Sequence, residues 1–76
     1  MSKKELKFEV IEHLAVLEVF ASGWTLEFNV VKWADGVEKF DIRNWNADHS
    51  KCSKGITLFD REMDSIVKAY KAYKKK

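Results

Sequence analysis

Cysteine is almost absent from this chain, with Cys52 standing alone. No disulfide can therefore staple the fold. Proline is missing altogether, and the three glycines, Gly23, Gly36 and Gly55, stand far apart. No proline-rich or glycine-rich linker divides the chain, so residues 1–76 are expected to form one domain. Isolated glycines also exclude a phosphate-cradling loop, a dinucleotide fingerprint and a nucleophile elbow, which all need glycines in clusters. There is no apolar run of about 18 residues, so no membrane span is expected. The start, MSKKELK, is charged but leads into no signal-type apolar segment, because Glu9, Glu12 and His13 interrupt it. The expectation is a soluble, cytoplasmic protein.

Catalytic groups are scarce as well. The carboxylates are scattered, or fall in the first turns of a helix where a dipole role accounts for them. His49 and Cys52 have the spacing of half a zinc site, but a full site needs two such pairs and His13 is remote. Neither catalysis, nor a metal, nor a cofactor is expected, and both residues read as loop residues.

Aromatics and charge gradients are what the chain has in quantity. It carries five Phe, three Trp and two Tyr in 76 residues. A chain of this size buries only about 60–65% of its unfolded surface. So many rings exceed what one small core hides, and a homodimer is expected. The net charge is only +2, but it is unevenly spread. Residues 8–31 hold four Glu and no Lys or Arg, whereas residues 67–76 hold five Lys and no acid. The terminal lysines read first as a solvated tail over residues 74–76, and second as a weak attractor of phosphates.

Along the chain, Met1–Leu6 reads as a flexible arm. Phe8–Phe20 fits a helical face at Val10, Leu14 and Leu17. It also fits a strand with a bulge near Glu12–His13, and its β-branched and aromatic content favours the strand. Ala21–Gly23 is a turn and Trp24–Trp33 a second strand, apolar on both faces at its centre. Asp35-Gly36 marks a hairpin into Phe40–Trp45. Asn46–Ser53 is a polar loop, and Gly55–Leu58 is a fourth short strand. Phe59, Met63, Ile66, Val67, Tyr70 and Tyr73 form one helical stripe, with Thr57 as the expected cap. The fold class is α+β: a curved four-stranded antiparallel sheet followed by one C-terminal helix.

The stretch Lys39–Leu58 carries the candidate site. In a strand, Phe40 and Ile42 point one way and form the expected core face. Arg43 and Trp45 then share the open face. A guanidinium beside an indole suits a nucleic-acid strand, one for phosphate and one for base stacking. The bland reading is an Arg covering an aromatic ring on a protein surface.

DIRNW, a polar link, and KGITL before an amphipathic helix resemble the single-strand-binding domain of the positive cofactor 4 family of transcriptional coactivators. The likeness is greatest to its small bacterial YdbC-like branch. The matching residues are Asp41, Ile42, Arg43, Trp45, Lys54, Gly55, Ile56, Thr57 and Leu58, and the likeness runs from about Lys7 to Tyr70. The resemblance implies a long first strand, a homodimer meeting across a two-fold axis, and sequence-nonspecific binding of single-stranded DNA, with RNA as the alternative. It also implies a role in transcription or in handling DNA intermediates. Arg43, Lys54 and Lys32 would then hold phosphates and Trp45 and Trp33 would stack bases, with Lys51 on the link between them. Lys32 and Trp33 are adjacent, so a regular strand sends only one of them to the Arg43 face. The rival expectation is a protein–protein adaptor anchored by exposed tryptophans.

Overall fold

A computed structural model describes residues 8–76; the expected arm and the start of the resemblance lie outside them. Four strands and one helix follow in order: β1 Phe8–Val19, β2 Thr25–Trp33, β3 Glu38–Trp45, β4 Ile56–Leu58 and α1 Asp60–Lys74. The strands pair as an antiparallel meander in the order β1-β2-β3-β4. The expected α+β class, sheet and closing helix are therefore present.

The turns form where the sequence places them. Gly23 and Gly36 take φ of 94° and 83°, which a side chain resists. Gly36 closes the β2–β3 hairpin by donating to the Trp33 carbonyl, while Asp35 accepts from the Val37 amide. The β3–β4 link folds back on itself. Asn46 exchanges backbone and side-chain bonds with Lys51, and Trp45 bridges to Cys52. His49, at the tip, sits at φ 62°.

Strand β1 is more irregular than its sequence suggests. One bulge near Glu12–His13 is expected, but register shifts fall between Val10 and Glu12, His13 and Ala15, and Val16 and Glu18. Twelve residues thus oppose nine, and each extra residue adds bend and twist. The sheet coils, and the first corner of β1 folds across one face. Phe8 pairs with Trp33 through the backbone, yet its ring also reaches Trp45 at 6.3 Å.

That coiling inverts the expected core. The face of Phe28, Phe40 and Ile42 is only half-buried, and Ile56 beside them is 54% exposed. The opposite face holds the buried cluster of Phe8, Val31 and Trp45, with Trp33 and Cys52 against it. Helix α1 buries none of its residues, so it covers little of the first face. Its cap differs too. The N-cap is Phe59 rather than Thr57, and its amide donates to Glu62 Oε1 at 2.7 Å. The carboxylate reaching back satisfies the Phe59 amide, while the Glu62 amide, which a cap hydroxyl would serve, donates to the Phe59 carbonyl instead.

Candidate nucleic-acid interface

The β2–β3 register sets the coiled face. Glu27 lies opposite Arg43, Asn29 opposite Asp41, and Thr25 opposite Trp45. Side chains two apart on a strand share a face, so Asp41 and Arg43 are neighbours. The guanidinium grips the carboxylate with two bonds, Nε to Oδ2 at 2.8 Å and Nη2 to Oδ1 at 2.7 Å. Asp41 is fully buried and the Arg43 side chain is 11% exposed. Nη1 also donates to the Ser53 carbonyl, and the guanidinium lies 4.6 Å from the Phe8 ring centre. Burial works to lower the Arg43 pKa; the bonds and charge of Asp41 outweigh it and move it up.

Arg43 and Trp45 share a face, as their spacing predicts, but that face is not open there. Trp45 is 3% exposed and belongs to the core cluster. The guanidinium of Arg43 is committed to Asp41, Ser53 and Phe8. The reason is Phe8, which the bulges of β1 carry over both side chains. Trp33 is half-buried on the same face, 5.2 Å from Phe8, with the Lys39 ammonium 5.7 Å above its ring. Lys32 is exposed on the other face, between Glu9 and Glu38 in register. Lys51 and Lys54 are exposed in the link. The structure therefore gathers Trp33, Arg43 and Trp45 and leaves Lys32 apart. Trp24 and Trp33 are half-buried and Trp45 is buried.

Gly55 explains the tight fit of the link. A Cβ there would lie 2.5 Å from the Ile42 carbonyl oxygen and against the Cβ of Arg43. Only glycine lets this backbone approach β3 so closely.

Beside the buried cluster lies a groove of about 580 Å³. Phe8, Val10 and Val16 wall one side, Trp45 and His49 the other, and Glu27 and Asn29 form the floor. The rings of Trp45 and His49 lie 5.6 Å apart, tilted by 33°. Glu27 Oε2 accepts from Thr25 Oγ1 at 2.6 Å and from His49 Nε2 at 2.7 Å. His13, opposite Asn29 on β1, donates from Nδ1 to Asn29 Oδ1 at 2.7 Å and stands 3.6 Å from Glu27 Oε1. Burial pushes the Glu27 carboxyl up. The hydrogen bonds from Thr25 and His49, with the charge of His49, outweigh it and hold the group below its ordinary 4.5.

Sequence reasoning passes over Glu27 and Asn29, and weighs His13 and His49 only as metal ligands. One signal was present: Thr25, Glu27 and Asn29 alternate with Leu26, Phe28 and Val30 along one strand. Such polar alternation reads as a solvent face. Here the coil of β1 and the turn at His49 enclose it.

No family model matches the chain. It is 37% identical over 62 residues to an uncharacterized protein of Treponema pallidum (strain Nichols), an alignment spanning 82% of this chain and 73% of that protein. The chain belongs to the family of that protein. Its likeness to positive cofactor 4 rests on the motifs alone.

Proposed function

We infer that this protein binds single-stranded nucleic acid along the coiled face of its sheet, with little dependence on sequence along most of the strand. The observation that carries the reading is the groove itself, a concave slot beside the buried Phe8–Trp45 cluster, in which the exposed His49 ring is the aromatic surface offered to a base. Ring faces and edges attract unpaired bases, which a duplex keeps stacked inside. Lys51, two residues from the His49 wall, and Lys54 beside Gly55 are exposed and supply phosphate contacts. Arg43 supports the groove from beneath instead of holding phosphate. Lys32, on the far face, takes no part in this reading.

The same reading includes a homodimer. The chain's radius of gyration is 14.1 Å, against about 11 Å for a compact chain of this length. Ile66, Val67, Tyr70 and Tyr73 of α1 are 43–67% exposed, and Ile56 on the half-buried face is 54% exposed. A second copy laid across these surfaces would bury them, with the grooves on the outer faces. The motifs' resemblance extends this reading to transcription or the handling of single-stranded DNA in the cytoplasm. No described helix is long and apolar enough to cross a membrane.

The test is fluorescence anisotropy with labelled DNA and RNA single strands and a duplex over a salt series. Single strands should bind more tightly than duplex. Lys51→Ala and Lys54→Ala should each reduce the slope of log affinity against log salt by about 0.7. Equal binding of duplex, or no binding at low salt, overturns the assignment.

A further inference from the structure

The floor of the groove is an unusual place for a strand carrying phosphates, because it is a buried carboxylate. Glu27 is 4% exposed and ionised under ordinary conditions, since its pKa lies below 4.5. Its two oxygens are not equivalent. Oε2 accepts two short hydrogen bonds, from Thr25 and His49. Neither of these bonds reaches Oε1; His13 Nδ1 stands 3.6 Å from it and spends its proton on Asn29. A carboxylate oxygen that lines an open groove and carries no short hydrogen bond is free to accept one from a ligand that brings a donor.

The walls narrow the ligand class. The exposed His49 ring, backed by the buried Trp45, gives one side an aromatic surface, and Val10 and Val16 supply apolar edges. His49 holds its place in a left-handed backbone conformation, a costly one for a non-glycine residue. Its ring is thereby set both against Trp45 and on Glu27. An anion is excluded by the floor. Among the described residues no cluster of three or more ligating side chains could hold a metal ion. A flat ring with an N–H donor on its edge meets every requirement. The volume of about 580 Å³ accommodates a nucleotide.

We propose that the Glu27 groove is a base-reading pocket that receives one extruded nucleobase bearing an exocyclic amino group, which donates to Glu27 Oε1. Adenine, cytosine and guanine carry such a group. Thymine and uracil offer only an N–H set between two carbonyl oxygens, which the carboxylate repels. The pocket adds a local preference for amino-bearing bases at one position of an otherwise nonspecific strand. It rests on the single-strand reading above.

The experiment compares a thymidine oligonucleotide with the same strand carrying one central cytosine, adenine or guanine. A hydrogen bond to a charged group predicts binding tighter by about tenfold for the substituted strands. In Glu27→Gln the amide can donate to a thymine carbonyl as well as accept from an amine. The preference should therefore fall to about onefold, with the all-thymidine strand bound more tightly than by wild type. Val16→Trp supplies an independent variant. Val16 lies opposite Glu27 in register, is 47% exposed, and touches none of its hydrogen bonds. An indole there fills the groove and should abolish the preference even if Glu27→Gln fails to fold, which circular dichroism detects. Equal affinity of wild type for all four strands, or a preference surviving in Val16→Trp, overturns the base pocket and leaves single-strand binding standing. Absence of binding to every strand overturns both.

Discussion

Arg43→Ala separates two roles for the residue at the centre of the motif. A phosphate-holding arginine should be dispensable for folding. The structure instead makes it the sole cation gripping Asp41 among the described residues, through two bonds of 2.7 and 2.8 Å. Asp41 is 0% exposed in the intact chain, and removing the guanidinium strips both charge-assisted bonds from its carboxylate. Removing one partner of a buried pair costs about 3–5 kcal/mol, because the other charge is left without compensation. A domain is stable by only about 5–15 kcal/mol in total. For a chain of 76 residues with a small cluster at its core, the variant should melt on the order of 20 °C lower.

A double-mutant cycle isolates the pair. Asp41→Ala alone leaves a guanidinium buried against Phe8, and the combined variant leaves neither charge. The combined variant should be about 2 kcal/mol more stable than the sum of the single losses predicts. Thermal and urea unfolding by circular dichroism measure all three. At a temperature where Arg43→Ala is still folded, its salt slope for a single strand should match that of wild type. A variant that melts as wild type does, with a flattened salt slope, refutes the structural role and restores Arg43 as a phosphate contact.

Gly55→Ala should lose about 1–3 kcal/mol in urea unfolding, because its methyl meets the Ile42 carbonyl and Arg43; an unchanged midpoint would show that β4 can shift freely. The Glu27 carboxylate has a lowered folded pKa, so its stabilisation is present above about pH 4.5 and is lost as pH falls through the folded value. The urea midpoints of wild type and Glu27→Gln should therefore differ most near about pH 7 and converge toward about pH 3, and parallel curves would contradict the assignment. Sedimentation equilibrium at micromolar concentration should give twice the 8.9 kDa chain mass, and Ile66→Glu should return it toward one; a wild-type monomer removes the dimer.

The element order was legible because each element carries its own local signal. Asp35-Gly36 sits between two alternating runs and closes a hairpin by the rules of backbone sterics alone. The stripe from Met63 to Tyr73 has helical spacing whatever it packs against. The facing of the sheet was not legible, for a specific reason. Parity put Phe40 with Ile42 and Arg43 with Trp45, and that pairing holds. Which pair is covered depends on β1, where a residue is inserted at every third position. In a run such as VIEHLAVLEV one bulge near Glu12–His13 can be read, but three cannot, because the inserted Ile11, Leu14 and Leu17 are apolar and pass for core positions. Ile11, Leu14 and Leu17 look like core residues by sequence, yet they are 39–48% exposed. Once β1 coils, Phe8 closes over Arg43, and the candidate site moves sideways to Glu27.

This displacement bears on what the motif can report. Asp41 and Arg43 hold each other, Gly55 lies against Arg43, and Thr57 and Leu58 pair with Asp41 and Phe40. The residues that make DIRNW and KGITL recognisable are thus locked together by contacts among themselves. Their spacing is what an antiparallel β3–β4 pair with a buried ion pair requires, whatever the outer surface binds. The groove draws its floor and walls from elsewhere: Glu27 and Asn29 on β2, Val16 on β1, and His49 in the link between the two motifs. A chain can keep both motifs and change the pocket, or keep the pocket's chemistry on a different link. Resemblance in the motifs therefore argues for the scaffold more strongly than for the ligand. A family member retaining the buried pair but lacking the Glu27 carboxylate should share this fold and lose its preference for amino-bearing bases.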